Sequence, residues 1–212
     1  NGSLEASAKD HISSGLSTEA FIPQNFWKDH GGEVLIMGAG GAAIAISSNL
    51  LNKQNGANVP SKVIISNRSQ ARLAKIEKLI RETNPEINRD VEVEFHLTPE
   101  PGQNDALLHR LTPYSLVINA TGLGKDRPGS PLLDSCQFPE NSLIWELNYR
   151  GDLGFMHQAL AQKDKKNLHV EDGWIYFLHG WTQVIGEVFD IDIRGELFER
   201  VAQIANEWRK NG

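Results

Sequence analysis

The sequence has little cysteine and lacks any long apolar run. Cys136 is the single cysteine in 212 residues, which argues against a disulfide framework and against a thiolate metal cluster. No stretch approaches the roughly 18 consecutive apolar residues that a membrane-spanning helix needs. The N-terminus also lacks the charged-then-apolar pattern of a secretory signal. We therefore expect a protein of a reducing, cytoplasmic compartment.

An excess of positive charge is missing as well. The 21 lysines and arginines are outnumbered by 27 aspartates and glutamates, which leaves a formal net charge of -6. This balance argues against nucleic acid and against an anionic membrane surface as partners. The seven histidines show no H-x-x-x-H or similar spacing, so we expect no metal site.

What the sequence does contain, from Glu33 onward, is an alternation of short apolar runs with amphipathic segments. The runs predict strands at 34–37, 62–66, 91–97, 115–120 and 142–148, with a candidate sixth at 168–172. The strict alternation at 91–97 favours a position near a sheet edge. Strands and helices joined by short connections predict right-handed βαβ units, and therefore a doubly wound parallel sheet of the Rossmann-like α/β class.

The chain divides into three predicted parts. Residues 1–30 are polar and indicate an N-terminal leader or junction segment, with a short helix near 4–12. Residues 31–190 form the Rossmann-like domain, and residues 191–212 form a C-terminal helix. Because the first residue is Asn1 and not methionine, we treat the chain as a processed or excised piece of a longer protein.

Apolar residues recur at helical spacing in the last two predicted helices, which are separated by a break at 190–195. These residues are Trp181, Val184, Ile185, Val188 and Phe189 in one helix, and Leu197, Val201, Ile204, Ala205 and Trp208 in the other. The spacing favours core packing and capping of the domain over a cofactor-binding role.

The first strand runs into a glycine-rich turn that fits the pattern G-x-G-x-x-A. Gly38 allows a sharp turn, Gly40 allows close approach of a pyrophosphate, and Ala43 allows tight packing of helix on strand. The N–H groups at the start of the following helix would face the phosphates. The residues predicted to contact pyrophosphate are Gly38, Ala39, Gly40, Gly41 and Ala42. The alternative is a tight strand-to-helix turn that binds nothing.

The end of the second strand carries arginines where an NAD-specific site usually has a carboxylate. Asn67, Arg68, Ser69 and Arg72 follow this strand, and none of them is acidic. Two guanidinium groups and a hydroxyl suit the 2′-phosphate of NADP, which we therefore favour over NAD as the cofactor. The alternative is that Arg68 and Arg72 are ordinary solvated surface arginines.

The fourth strand ends in INATGLG, at residues 118–124. Ligands of doubly wound sheets bind beyond the carboxyl ends of the strands, near the point where the strand order reverses. Thr121 and Gly122 are therefore predicted to flank the nicotinamide half of the cofactor. Lys125 and Asp126 follow at once and could mimic an acid–base pair, but a charged loop tip is the simpler interpretation.

In order along the chain, the motifs VLIMGAGGAA, ISNRSQAR, LVINATGLG, IWELNYRGDLGFM and VEDGWIYFLHG resemble the C-terminal, cofactor-binding domain of the shikimate/quinate dehydrogenase family. The resemblance covers about residues 33 to 190. It implies that Tyr149 lies by the nicotinamide and substrate, and that Gly173 borders the nicotinamide. His179 stands near the position of the family's substrate-binding glutamine, so it is a substrate-binding candidate.

The resemblance also implies what this chain lacks. The family's catalytic lysine and aspartate belong to the substrate domain or to its junction with this domain, so no catalytic residue is assigned here. The expected protein is an NADP-dependent oxidoreductase that acts on a cyclic polyol acid, has its substrate domain missing, and is inactive as this chain alone. Two alternatives stay open: a non-catalytic NADP-binding or partner-binding module, and a Rossmann domain of the glutamyl-tRNA reductase type. An oligomer is also left open.

Overall fold

The computed structural model describes residues 9–211 and contains one six-stranded parallel sheet. The strands are β1 Val34–Met37, β2 Lys62–Asn67, β3 Glu92–Leu97, β4 Leu116–Asn119, β5 Leu143–Glu146 and β6 His169–Glu171. Their order is β3-β2-β1-β4-β5-β6, so β1 lies between β2 and β4. This is the strand order of a doubly wound sheet, and the predicted fold class, the sixth strand and the edge position of β3 are confirmed.

Helices cover both faces of the sheet. They are α1 Asp10–Phe21, α2 Phe26–His30, α3 Gly41–Leu50, α4 Gln70–Lys78, α5 Pro101–Leu108, α6 Gly154–Leu160, α7 Lys163–Lys166, α8 Trp174–Phe189 and α9 Gly195–Asn211. Side chains of α2, α3 and α4 belong to the core on one face, and those of α5 and α6 to the core on the other. The sequence pattern after β5 predicts one helix over about residues 153–163, but the structure divides this segment between α6 and α7.

The central strand β1 is buried on both sides, and its alternate residues enter different cores. Val34 and Ile36 pack into one apolar cluster, while Leu35 and Met37 pack into the other. All four side chains are fully buried. A strand covered on both faces needs no polar residue, which is why this one reads as a continuous apolar run in the sequence.

Helix α5 begins earlier than the sequence pattern predicts. Pro99, Pro101 and Gly102 indicate a loop by composition, but Pro101 is the first residue of the helix. Proline is tolerated there because its missing N–H would have had no intrahelical partner. Glu100 and Gln103 form a reciprocal capping box around the same turn. The loop prediction was wrong at Pro101 and Gly102 because these caps outweigh the composition.

The described part of the polar N-terminal segment packs against the domain. Helix α1 lies on α3 and α8 through a face of small residues that includes Ser13, Ser14 and Thr18. Thr18 Oγ1 lies 3.2 Å from Asn49 Oδ1 of α3. A Cβ added at Gly15 would lie 3.0 Å from the Asn49 side chain, so small residues are what permit this close approach. The helix predicted near 4–12 falls largely outside the described residues.

The last two helices leave much of their apolar surface uncovered. Trp181, Val188 and Phe189 of α8 are 55%, 71% and 67% exposed, and Trp208 of α9 is 77% exposed. Core packing is therefore the wrong prediction for these side chains, although Phe198 and Ala202 of α9 do pack on α8. Of the helices within residues 9–211, none combines the length and apolarity needed to cross a membrane.

We expect Gly38→Ala to destabilise the fold by about 2 kcal/mol or more. Gly38 has φ +125°, and an added Cβ would lie 2.4 Å from the Ala120 carbonyl oxygen. Urea unfolding of the variant and the parent protein measures the difference. Gly180→Ala is the matched control, because a Cβ there meets nothing nearer than Ser13 Oγ at 3.9 Å. Equal stability of Gly38→Ala and the parent would contradict this account of the turn.

Candidate functional site

A cavity of about 630 Å³ lies at the carboxyl edge of the sheet. Its walls come from the turn after β1, the end of β2, the first turn of α5 and the loop after β4. Most residues predicted to bind the cofactor line it, namely Gly38, Ala39, Gly40, Asn67, Arg68, Arg72, Thr121 and Gly122. The strand order thus brings together predicted binding residues from three separate parts of the chain.

The turn after β1 combines a structural glycine with one that the fold does not require. Gly38 is held by a 2.7 Å hydrogen bond from its N–H to the Ser66 carbonyl oxygen of β2. Gly40 is the N-cap residue of α3, with an ordinary extended backbone at φ -91° and ψ -170°. A Cβ added at Gly40 or Gly41 would have no heavy atom of the described residues within 4 Å. Open space therefore lies directly over the backbone at the start of α3.

The end of β2 presents two guanidinium groups to the same cavity. Arg68 precedes α4 and Arg72 lies in its first turn, and both side chains are exposed. Neither guanidinium has an ion pair or hydrogen bond with any residue of the described chain, 9–211. The Asn67 side chain instead supports the backbone, because its Oδ1 accepts a 2.9 Å hydrogen bond from the Ser69 N–H. Ser69 is the N-cap residue of α4, but its side chain makes no capping hydrogen bond.

Besides His179, five predicted binding residues do not line this cavity. Gly41, Ala42 and Ser69 lie next to residues that do, at the starts of α3 and α4. Gly173 immediately precedes α8, where a Cβ would lie 2.0 Å from the Leu147 carbonyl oxygen. Tyr149 stacks on Phe177 with ring centroids 4.3 Å apart. The glycine and the tyrosine follow β6 and β5, at the same edge of the sheet but farther from the glycine turn.

His179 is held in the contact between α8 and α9. Its ring stacks on Phe198 with centroids 3.9 Å apart, and its side chain is buried. Burial lowers the pKa of His179 to about 4, so the ring is neutral at physiological pH. Nothing in these surroundings supports the predicted substrate role, and the placement favours packing.

Lys125 and Asp126 do not form an acid–base pair. The Lys125 ammonium lies 5.3 Å from the centre of the Tyr149 ring, and Asp126 forms a 3.3 Å ion pair with Arg150. The two side chains thus have separate partners, as a charged loop tip would. Within the described residues, no group of three or more His, Cys, Asp or Glu side chains is placed to hold a metal ion.

A buried polar network that the sequence pattern did not reveal joins the ends of β4 and β5. Glu146 is fully buried, and its carboxylate accepts hydrogen bonds from the backbone N–H of Asn148 at 2.9 Å and from Asn148 Nδ2 at 2.7 Å. Asn119 Nδ2 lies 2.8 Å from the other carboxylate oxygen. Asn119 Oδ1 in turn accepts a 2.7 Å hydrogen bond from the Thr121 hydroxyl. The network therefore holds the cavity loop at Thr121 in place.

The environment of Glu146 changes its titration. Burial raises the pKa of this carboxyl from its usual 4.5 to about 7, while the hydrogen bonds from Asn148 and Asn119 lower it and offset only part of that effect. The nearby charge of Asp172 adds to the rise. The loop beside the cavity is therefore positioned by a hydrogen-bond network whose carboxyl group, Glu146, titrates near neutral pH.

Two further residues of the cavity wall were not predicted from the sequence. Asn104 of α5 is buried and accepts a 2.7 Å hydrogen bond from Ser66 Oγ, and it donates one of 3.0 Å to the Pro131 carbonyl oxygen. Arg127 lies in the loop after β4 and lines the cavity. Arg127 lies eight residues after the end of β4, in a segment whose composition indicates only a loop. Its position after a central strand was the one sequence feature that pointed to the site.

Comparison with known proteins places the chain near one group of enzymes. No family model matches it. A curated shikimate dehydrogenase (NADP(+)) of Lactococcus lactis subsp. cremoris is 27% identical over 154 residues, which are 72% of this chain and 50% of that protein. The chain therefore spans about half the length of the curated relative that it matches.

Solved structures of similar fold include three that bear on the resemblance. Quinate dehydrogenase from Corynebacterium glutamicum in complex with NAD has a TM-score of 0.60 at 19% identity, covering 82% of this chain and 54% of that one. A chorismate mutase/shikimate 5-dehydrogenase fusion from Clostridium acetobutylicum has a TM-score of 0.61 at 18% identity, covering 96% of this chain and 62% of that one. Shikimate 5-dehydrogenase from Thermus thermophilus in complex with NADP(H) and shikimate has a TM-score of 0.58 at 18% identity, covering 93% of this chain and 62% of that one. The resemblance to shikimate/quinate dehydrogenases is confirmed in sequence and in fold.

We expect the stability of the protein to fall as the pH rises from about 4.5 to about 7. Over this interval folded Glu146 keeps its proton while the unfolded chain releases it, so the folded state binds more protons. The raised pKa corresponds to a loss of up to about 3 kcal/mol across the interval. Urea unfolding at a series of pH values measures it, and Glu146→Gln should flatten this part of the profile. Glu199→Gln, at an exposed site on α9, is the control, and parallel profiles for Glu146→Gln and the parent would contradict the assignment.

Proposed function

We propose that this chain is the NADP(H)-binding half of an oxidoreductase that resembles the shikimate/quinate dehydrogenases. Its reaction would transfer hydride between the nicotinamide and a hydroxyl or carbonyl group of a cyclic polyol acid. The observation that carries the proposal is one cavity with an open glycine turn on one wall and, on another, two arginines that have no partner within residues 9–211. The curated relative is a dehydrogenase, and the solved structures of similar fold include quinate and shikimate dehydrogenases, which supports the same reaction class.

The cavity residues fit a dinucleotide. The free space above Gly40 admits a phosphate group against the backbone N–H groups that begin α3. A side chain at that position would fill the space, although the fold itself would tolerate one. When bound, the cofactor supplies the hydride chemistry, and the protein supplies binding and orientation.

The charges around the cavity favour NADP over NAD. Arg68 and Arg72 offer planar donors at the end of β2, where an NAD site usually places a carboxylate on the ribose. Asp126 is acidic and also lines the cavity, but its partner is Arg150 and it lies in the loop after β4. A 2′-phosphate would therefore meet uncompensated positive charge at the end of β2. Solved neighbours bind NAD in some cases and NADP in others, so their fold does not choose between the two.

The substrate half of the site belongs, in this proposal, to a domain outside the chain. The curated relative is about twice as long as the matched region. The exposed apolar side chains of α8 and α9, such as Trp181 and Trp208, offer a surface that a further domain would cover. We assign no catalytic residue, and we propose that this chain alone turns over no shikimate. The cytoplasmic setting inferred from cysteine usage stays part of the proposal.

A non-catalytic NADP-binding module is the second candidate function. The separation of Lys125 from Asp126 favours it, since the described cavity wall offers no ready acid–base pair from these residues. Turnover of a cyclic polyol acid after addition of a substrate domain would favour the oxidoreductase. NADPH binding without turnover in that assembly would favour the module.

We expect Gly40→Ala to fold normally and to lose at least tenfold in affinity for NADPH. The added methyl group meets no atom of the part of the chain that the structure describes within 4 Å, but it occupies the space proposed for the pyrophosphate. Titration followed by nicotinamide fluorescence measures the affinity, and urea unfolding checks the fold. Gly180→Ala, inside α8 and remote from the cavity, should bind as the parent does. Unchanged affinity of Gly40→Ala would mean that the turn serves only the fold.

We expect the double variant Arg68→Gln and Arg72→Gln to lose the preference for NADPH over NADH. Both guanidinium groups would act on the 2′-phosphate, which NADH does not carry. Calorimetric titration with both cofactors should show at least a tenfold loss for NADPH and little change for NADH. Arg200→Gln removes the same charge from an exposed site on α9 and should change neither affinity. An intact preference in the double variant would refute the phosphate assignment.

A further inference from the structure

We propose that Arg127 is a third phosphate-binding arginine and that its ligand is the pyrophosphate of the dinucleotide. The inference rests on the proposed function and names a further ligand-binding residue within the same cavity. Arg127 lines the cavity, yet it belongs neither to the glycine turn nor to the end of β2. It therefore offers a positive charge to a different part of the ligand than Arg68 and Arg72 do.

The loop after β4 forms the wall of the cavity that contains Arg127. The loop starts beside β1, because β4 pairs with β1 through Asn119 and Met37. It returns at Pro131, whose carbonyl oxygen accepts the hydrogen bond from Asn104, and Asn104 is bonded to Ser66 of β2. The loop thus crosses from the end of β4 toward the end of β2, and the turn at the end of β1 lies between these two points.

A dinucleotide bound in this cavity would place its pyrophosphate between the two ends of the loop. The nicotinamide half is proposed at Thr121 and Gly122, at the start of the loop, and the adenosine 2′-phosphate is proposed at the end of β2. The pyrophosphate joins the two halves and would lie at the turn after β1. Arg127, about midway along the loop, lines the same cavity and is suited to reach the pyrophosphate from the loop wall.

The backbone of Arg127 is fixed by the loop. Its carbonyl oxygen accepts a 2.7 Å hydrogen bond from the Gly124 N–H, and Leu123 and Arg127 form a parallel bridge. The Leu123 carbonyl oxygen in turn accepts hydrogen bonds from Asn119 Nδ2 at 3.2 Å and Asn148 Nδ2 at 3.0 Å. The buried network around Glu146 therefore positions the backbone that carries this arginine.

The guanidinium of Arg127 is left for a ligand. Its side chain is exposed and has no ion pair or hydrogen bond to any residue in the range that the structure describes. The neighbouring charges are already engaged, since Asp126 pairs with Arg150 and Lys125 lies over Tyr149. A guanidinium makes charge-assisted, bidentate hydrogen bonds with phosphate oxygens, so this cavity suits a ligand with more than one phosphate group.

The test compares the effect of Arg127→Gln on two cofactors. Both NADPH and NADH carry the pyrophosphate, so we expect the dissociation constants of both to rise by about tenfold while their ratio stays within about twofold. The Arg68→Gln and Arg72→Gln variant should instead change the ratio. Arg200→Gln is again the matched control, and it should leave both constants unchanged.

Smaller probes separate the two phosphate positions without the whole cofactor. Arg127→Gln should weaken the binding of ADP, which carries a diphosphate, and should spare 2′-AMP. The Arg68→Gln and Arg72→Gln variant should do the reverse. Circular dichroism and thermal unfolding of each variant confirm that the loss is one of binding and not of folding.

The possible failures are distinguishable. If Arg127→Gln binds both cofactors and ADP as the parent does, the assignment of Arg127 is overturned while the proposed function stands. If the loss is confined to NADPH and 2′-AMP, Arg127 reads the 2′-phosphate and the pyrophosphate assignment is wrong. If the unmodified protein binds neither NADPH nor NADH, the proposed function fails, and the inference fails with it.

Discussion

The backbone of Gly38 lies so close to Ala120 that a Cβ on this glycine would be 2.4 Å from the Ala120 carbonyl oxygen. This contact joins the carboxyl ends of β1 and β4, which pair in parallel along their whole length. It fixes where the chain turns into α3 and where the loop after β4 begins. Two walls of the cavity, the turn after β1 and the loop after β4, depend on it, because each starts within a few residues of this contact.

Electrostatic pairing then decides which charges stay available around the cavity. The acidic Asp126 is engaged by Arg150, and the buried Glu146 accepts amide donors and holds its proton up to about neutral pH. Arg68, Arg72 and Arg127 have no such partners among the described residues. A chain with a net charge of -6 thus presents a locally positive cavity, which an anionic dinucleotide would neutralise.

The predictability of each element follows from the interaction that specifies it. The bounds of β1 were predicted to the residue because a strand buried on both faces is a continuous apolar run. The start of α5 was missed because a capping box decided it, against the loop-like composition of Pro101 and Gly102. Helix α8 shows helical periodicity whether its apolar face is covered or exposed, so the exposure of Trp181 could not be inferred from spacing.

The sequence by itself determined the alternation of strands and helices, the glycine turn after β1 and the arginines after β2, because each of these is a local pattern. Only the tertiary structure decided which distant segments share one cavity. Arg127 is joined to the site by the strand order and Asn104 by its side-chain hydrogen bonds, and neither residue leaves a periodic signal in the sequence. Local preferences specify the elements, whereas contacts between residues far apart in the chain arise only when the sheet is assembled.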